Sequence, residues 1–485
     1  MRELRPAKIS RRTFLVATAG SAIGCAVLDQ QSSAPQVSGD APHHQAWEMA
    51  STIRQQTIVP TFPDRQFNVR DYGAIDDGIT NNSVAFTQAI TACHEAGGGR
   101  VVVPAGRFLT GPIHLKSNVN LHLEPESRIL FSTDPKDYLP AVFTRWEGVE
   151  LMGYSPLIYA YEQKNIAVTG SGTLDGQANR TTWWPWKGGA WVGGTNWGLP
   201  GYPTQDEGRT KLFADAEQGV PPEQRLYADG AHLRPPFFQP YRCENVLIEG
   251  VTITGAPFWL INPVLCESVT VKGVTCASLG PNSDGCDPES CKNVVIEDCY
   301  FDTGDDCIAI KSGRNNDGRR LNTPAENILI TGCKMRSGHG GVVIGSEISG
   351  GARNIFVENC QMSSPDLERG IRIKTNSMRG GIIENFYIRN IEIGEVKNAL
   401  VIDFHYEEGD AGDFDPTVRN IEIRNLVCQK ADRVFQVRGF ERAPIRNLRM
   451  INNTFVSVDE IGDIEHVENF VAQNVTIEGK TFKVG

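Results

Sequence analysis

One short pattern returns through the second half of this chain and restricts its fold more than any other feature. Asparagine followed by apolar-x-apolar occurs at Asn245-Val-Leu-Ile, Asn293-Val-Val-Ile, Asn327-Ile-Leu-Ile, Asn354-Ile-Phe-Val, Asn385-Phe-Tyr-Ile, Asn420-Ile-Glu-Ile and Asn447-Leu-Arg-Met, with Ser268-Val-Thr-Val filling the one gap. The returns are 23 to 35 residues apart. Each unit alternates apolar and polar residues, the period of a strand with one buried face. Only loops separate the units, with no helical stretch between them, which argues against a βαβ sheet or barrel. A strand that recurs at this interval with loops between it is what a parallel β-helix requires, because each coil buries its inward residues on the coils above and below.

The register supports an all-β, single-domain parallel β-helix. Six places after the anchors stand Val251, Val274, Cys299, Cys333, Cys360, Ile391 and Leu426; eight places after stand Ile253, Cys276, Phe301, Met335, Met362, Ile393 and Cys428. Five cysteines thus share inward columns with aliphatic and aromatic residues, and most of the 12 read accordingly as reduced, buried hydrophobes. Cys286 with Cys291 is the pair to check for a disulfide. No Cys-x-x-Cys pair or histidine cluster suggests a metal. Upstream, Asn118-Val-Asn-Leu-His-Leu and Asn165-Ile-Ala-Val look like earlier coils. An amphipathic helix opening near Asn82 or Ser83, with Val84, Phe86, Ile90 and Cys93 apolar, is the natural cap for the open end of the solenoid. Residues 178–234 break the pattern with Gly, Pro and Trp and read as long loops on the coils.

The formal charge of −11 argues against a nucleic-acid partner, whose footprint is a basic face. An acidic ligand would have to be held by locally placed cations. Ser10-Arg11-Arg12-Thr13-Phe14-Leu15 before the apolar run from Val16 to Leu28 reads as an export signal over residues 1–30. Its adjacent arginines resemble the twin-arginine type, with an ordinary secretory signal and lipidation at Cys25 as the other readings. Residues 31–66 read as a polar linker, and 67–485 as the β-helix domain. No later segment is apolar enough to span a bilayer, so a periplasmic or extracellular monomer is expected.

Each coil carries a second strand after its anchor. On four successive coils these read Asn282-Ser-Asp-Gly-Cys-Asp, Asp305-Asp-Cys-Ile-Ala-Ile-Lys, His339-Gly-Gly-Val-Val-Ile-Gly and Arg369-Gly-Ile-Arg-Ile-Lys. Strands stacked roughly 4.8 Å apart bring all four segments within about 15 Å on one face. Glycosidic cleavage needs an acid for the leaving oxygen and a carboxylate to activate water or attack the sugar. Crowded carboxylates such as Asp284, Asp305 and Asp306 repel one another when ionised, so at least one should keep its proton to higher pH. His339 is placed to hydrogen-bond the protonated member, and Arg372 and Lys374 supply cations for a uronate. Taken singly, an Asp pair is more often a solvated loop or a calcium ligand; the joint appearance on four coils carries the reading.

At these residues the chain resembles glycoside hydrolase family 28, the polygalacturonases, in Asn282-Ser283-Asp284, Asp305-Asp306, Gly338-His339-Gly340 and Arg372-Ile373-Lys374, with Ser283 in place of the family's threonine. The resemblance implies a right-handed β-helix and an inverting hydrolase without metal or other cofactor. Asp305 would be the acid, Asp284 and Asp306 the base, and His339 the support for the acid. Asn282, Arg372 and Lys374 would bind substrate, a pectic polysaccharide or oligogalacturonide. Similarity to bacterial members implies exo action. The tryptophan-rich stretch from Trp183 to Trp197 is either a set of sugar platforms or the anchor of a loop. The rival readings are a calcium-dependent lyase of pectate lyase type, a hydrolase of rhamnogalacturonan or xylogalacturonan, and a non-catalytic carbohydrate-binding solenoid.

Overall fold

The computed structural model describes residues 8–9, 41–189 and 195–483 of the chain. It is a parallel β-helix whose rungs stack in register along three walls. The asparagine-anchored strands form the first wall, where Glu244–Glu249, Glu267–Lys272, Lys292–Glu297, Ala325–Thr331 and Ala352–Glu358 pair in parallel in that order. In the second wall Ile253, Cys276, Phe301, Met335, Met362, Ile393 and Cys428 stack as consecutive partners. This column is the one read from the spacing, and every member is buried.

The third wall runs through Phe238, Ile261, Cys286, Ile308, Val342, Ile371 and Leu400. Cys286 is therefore one more stacked hydrophobe. The cysteines of the described residues, Cys286 and Cys291 included, are all free and buried. Cys25 and the signal-like residues from Ser10 to Leu28 lie outside the described residues.

The anchor asparagines explain themselves at the corner before each first-wall strand. Asn293, Asn327, Asn354, Asn385, Asn420 and Asn447 all take positive φ, between 56° and 60°. Asparagine enters that left-handed region more readily than other residues with a Cβ. From Asn327 onward each side-chain amide donates to the side-chain carbonyl of the asparagine one coil earlier, at 3.1 Å from Asn327 to Asn293 and 2.8 Å from Asn447 to Asn420.

Among the described residues, three helices longer than the short one at Asn315–Leu321 lie outside the coils. Helix α1 (Ala41–Gln56) occupies much of the segment expected to be a linker. The expectation failed because α1 is polar on average, and its few apolar residues acquire meaning only against the wall. There Trp47, Ala50 and Ile53 cover Val295, Leu329 and Phe356. Helix α2 (Ser83–Glu95) caps the N-terminal end with Phe86, Ile90 and Cys93 buried, whereas Val84 is exposed. Asn82 precedes α2 but makes no side-chain cap bond; its amide instead ties Ile75, Thr80 and Leu109 together. Helix α3 (Asp206–Glu217) lies within the region read as loops, seated by Leu212 and Ala216 on a cluster with Trp146 and Phe258. Among the described residues no helix is long and apolar enough to cross a membrane.

Candidate active site

Four successive rungs of the third wall deliver the expected residues to one cleft of about 410 Å³, lined by Asn282, Asp284, Asp305, His339, Arg372 and Lys374 among others. Nearest oxygens of Asp284, Asp305 and Asp306 all fall within 4.8 Å of one another. Asp306 lies against them, fully buried. Backbone bonds hold the rungs in this relation: Gly285 N donates to Asp306 O at 2.9 Å and Cys307 N to Gly340 O at 2.8 Å.

The two glycines around His339 are required by close approach. A Cβ on Gly338, whose φ is +146°, would stand 2.3 Å from Asp305 O, and one on Gly340 would meet Val343 Cγ2 at 2.4 Å. With those atoms absent, His339 Nδ1 reaches Asp305 Oδ1 at 2.9 Å. The Asp305 carboxylate pushes the imidazole pKa up to about 9 against the opposing effect of burial. Burial pushes Asp305 up, but His339, its hydrogen bond and then Lys374 and Lys311 outweigh it and hold the carboxylate well below its ordinary range. Asp284 moves the other way. Burial, then Asp287 and Asp305, keep it well above the usual range, with Lys311 the opposing cation. Within the crowded set Asp284 is thus biased towards its protonated form, and Asp305, beside the imidazole, towards its ionised form.

The cations are more committed than the sequence suggests. Lys374 Nζ lies 2.6 Å from Asp306 Oδ2 and Arg372 Nη1 3.5 Å from Asp306 Oδ1. Lys374 is thus first the counter-ion of a buried carboxylate. Arg372 keeps a buried Nε with no partner among the described residues and is the less committed of the two. Asn282 is held from behind: Arg234, fully buried, donates to its Oδ1 at 2.7 Å. Three close carboxylates have the spacing of a divalent-cation site, but Lys374, Lys311 and His339 already bring positive charge to Asp306, Asp284 and Asp305. This donor set does not fit a metal.

Sequence reasoning missed Trp259, Lys311, Glu347 and Tyr406, all in the cleft lining. Lys311 could have been found, since it closes the segment Asp305-Asp-Cys-Ile-Ala-Ile-Lys, directly after the strand Ile308–Ile310. The region 178–234 also reaches the cleft, through Lys187, Thr195, Trp197 and Arg209. Of its tryptophans, Trp183 is buried and Trp184 donates from Nε1 to Ala256 O at 2.9 Å. Trp186 packs edge-on to Trp183 at 5.0 Å. These three anchor the loop, while Trp197 lines the cleft.

A solenoid cleft with clustered carboxylates, one of them paired to histidine and another to lysine and arginine, defines a glycoside hydrolase. The profile described as Glycosyl hydrolases family 28 matches residues 226–430, and that of Rhamnogalacturonase A/epimerase, pectate lyase-like, matches residues 66–129. The chain is similar to an exopolygalacturonase structure from Thermotoga maritima, with 42% identity and a TM-score of 0.85 over 90% of this chain and 97% of that one. It is 28% identical to a probable polygalacturonase of Vitis vinifera, over 79% of this chain and 73% of the relative. An exo-poly-alpha-D-galacturonosidase of Dickeya chrysanthemi is 27% identical, over 76% of this chain and 64% of the relative. The chain belongs to glycosyl hydrolase family 28.

Proposed function

We propose that the protein hydrolyses α-1,4-galacturonosyl linkages of polygalacturonate from a chain end. The observation that carries this is the Asp284–Asp305–Asp306 cluster within 4.8 Å, in a cleft whose wall includes Lys187, Trp197 and Arg209 from the insertion. A cleft walled on one side by an inserted loop admits an end more readily than the middle of a polymer. The polygalacturonase and exopolygalacturonase relatives support the same substrate class.

In this reading the Asp305–His339 pair, which holds one proton between its members, protonates the leaving glycosidic oxygen. Asp306 and Asp284 take a proton from the attacking water, whose oxygen adds to the anomeric carbon as the C–O bond to the leaving sugar breaks. A water donating to two carboxylate oxygens at about 2.8 Å each spans roughly 4.5 Å between them, which fits oxygens that lie within 4.8 Å of one another. Arg372 receives a uronate carboxylate by charge-assisted hydrogen bonds. That the nearest oxygens all lie within 4.8 Å of one another also suits a second reading, retention, since retaining carboxyl pairs stand about 5–5.5 Å apart and inverting pairs about 6.5–9.5 Å. The supernumerary third carboxylate, available to hold water, supports inversion. The anomer first formed from an oligogalacturonide, followed by NMR, decides: β product from the α linkage supports inversion, and α product replaces it with a glycosyl-enzyme route.

Product analysis on polygalacturonate tests the main reading. Release of monomer alone from the first time point is expected, with no ultraviolet-absorbing unsaturated ends and no loss of activity in chelator. A ladder of sizes would overturn exo action, and unsaturated, chelator-sensitive product would overturn hydrolysis. Export by the twin-arginine route and action as a monomer belong to the same proposal. Fractionation of expressing cells and sizing of the purified protein check them; a cytoplasmic, unprocessed chain would sink the first, and a stable oligomer the second.

A further inference from the structure

Lys311 is almost fully buried, with 3% of its side chain exposed, 3.6 Å from Asp284 Oδ2 and 3.2 Å from Glu347 Oε2. Its ammonium also sits 4.5 Å from the centre of the Trp259 ring. A buried ammonium persists only where neighbours compensate its lost hydration. Here Glu347, Asp287 and Asp284 do so and keep the lysine charged in spite of burial. Glu347 is held in turn by Arg314 at 3.4 Å and Ser346 at 3.1 Å.

The register relates this lysine to the one already described. Ile310 pairs with Ile344 and Ile344 with Ile373, so Lys311, Gly345 and Lys374 follow one another up the next position of the same wall. The glycine between the two lysines is required there, because a Cβ on Gly345 would stand 2.0 Å from Lys374 O. Lys374 serves Asp306 at 2.6 Å and Lys311 serves Asp284 at 3.6 Å. Each carboxylate of the water-activating pair thus has its own lysine. The charged groups around Asp284 are Asp287 on its own segment, Asp305, Asp306 and Lys311 on the next rung, and His339 and Glu347 on the rung beyond.

We propose that Lys311 is a positioning residue: clamped by Glu347 and Trp259, its ammonium keeps Asp284 able to ionise, so that Asp284 can join Asp306 in taking the proton of water. The proposal rests on the hydrolase reading above. Physically, burial and three neighbouring carboxylates all oppose the Asp284 anion, and Lys311 is the cation placed to offset them.

The test compares Lys311→Met, Lys311→Arg and Glu347→Gln with wild type, measuring kcat and KM across pH on a short oligogalacturonide. For Lys311→Met we expect kcat to fall by about 100-fold or more, with KM changed by less than about three-fold. The acidic limb of kcat/KM should move to higher pH by about one unit. Lys311→Arg should recover part of the rate. Glu347→Gln should move the acidic limb the other way, because the ammonium released from Glu347 is drawn wholly to Asp284. A raised KM with normal kcat and an unmoved limb in Lys311→Met would make Lys311 a substrate-binding cation and overturn the proposal, as would a limb that moves in the same direction in Glu347→Gln. Should Lys311→Met lack wild-type circular dichroism, the other two variants decide, and an unmoved limb in both overturns it. The hydrolase reading fails separately, if wild type itself forms no reducing ends on polygalacturonate; the lysine comparison is then made on whichever pectic oligomer wild type cleaves.

Discussion

His339 Nδ1 and Asp305 Oδ1 stand 2.9 Å apart, with half of the imidazole side chain exposed and the carboxylate mostly enclosed. Each holds the other's charge. The histidine, raised to about 9 from an unfolded value of about 6.5, adds stability that is complete below the lower value and lost as pH rises through the upper one. Asp305 is depressed, so its contribution is present above about 3.9 and lost as pH falls towards its folded value. If this pair is the proton donor, kcat/KM should fall on the alkaline side near pH 9, not near 6.5. His339→Gln should lower kcat by about 10²–10⁴-fold and remove that limb. A variant that keeps both the rate and the limb would exclude the pair as donor.

Asp306 and Lys374 form a deeply enclosed ion pair in the site, with side chains 0% and 7% exposed. Replacing one partner leaves the other charge buried, which costs about 3–5 kcal/mol. Asp306→Asn should therefore lose activity and also unfold at lower denaturant than Asp305→Asn, because His339 can shed its proton when Asp305 is gone and leaves no buried charge without a partner. Paired unfolding curves check this; equal midpoints for the two variants would show that Lys374 does not depend on Asp306.

Ser268 takes φ 60° at the one corner, between Asn245 and Asn293, that lacks an asparagine. Asparagine tolerates that conformation better and would bridge its neighbours with side-chain hydrogen bonds, each a net gain of about 0.5–1.5 kcal/mol. Ser268→Asn should raise stability by about 1 kcal/mol, and Asn354→Ala, which removes a rung of the ladder, should lower it by about 2 kcal/mol. Chemical denaturation reads both. A destabilised Ser268→Asn would mean that packing at this buried corner outweighs the ladder.

Trp47 lies edge-on to Phe356 at 5.3 Å, with the Arg389 guanidinium 3.7 Å from its ring centre. Trp47→Ala should cost about 3 kcal/mol and leave kcat as it was, because the first-wall residues that α1 covers are not in the cleft. Loss of rate in a folded variant would show that α1 acts on the cleft through the wall.

Much of the fold was legible from residue order. A β-helix repeats one backbone event on every coil, and the inward columns from Ile253 to Cys428 and the asparagine corners recur at offsets that can be counted. The motif residues were legible for the same reason, since rung-to-rung pairing turns Asp284, Asp305, His339 and Arg372 into neighbours once the period is known. Helices α1 and α3 were not, because each is stabilised by a surface made of distant coils and carries little amphipathic signal of its own.

By itself, then, the sequence determined the period, the buried columns and which four segments meet. Only the tertiary structure decided how charge is arranged within the meeting place: the Asp284 carboxyl pushed towards its protonated form, the imidazole of His339 set against Asp305, Lys374 committed to Asp306, and Lys311 to Asp284 and Glu347. Strand periodicity follows from local backbone geometry and leaves its mark at regular spacing. Protonation and ion pairing follow from burial and from separations of a few ångströms between residues far apart in the chain, which no spacing records.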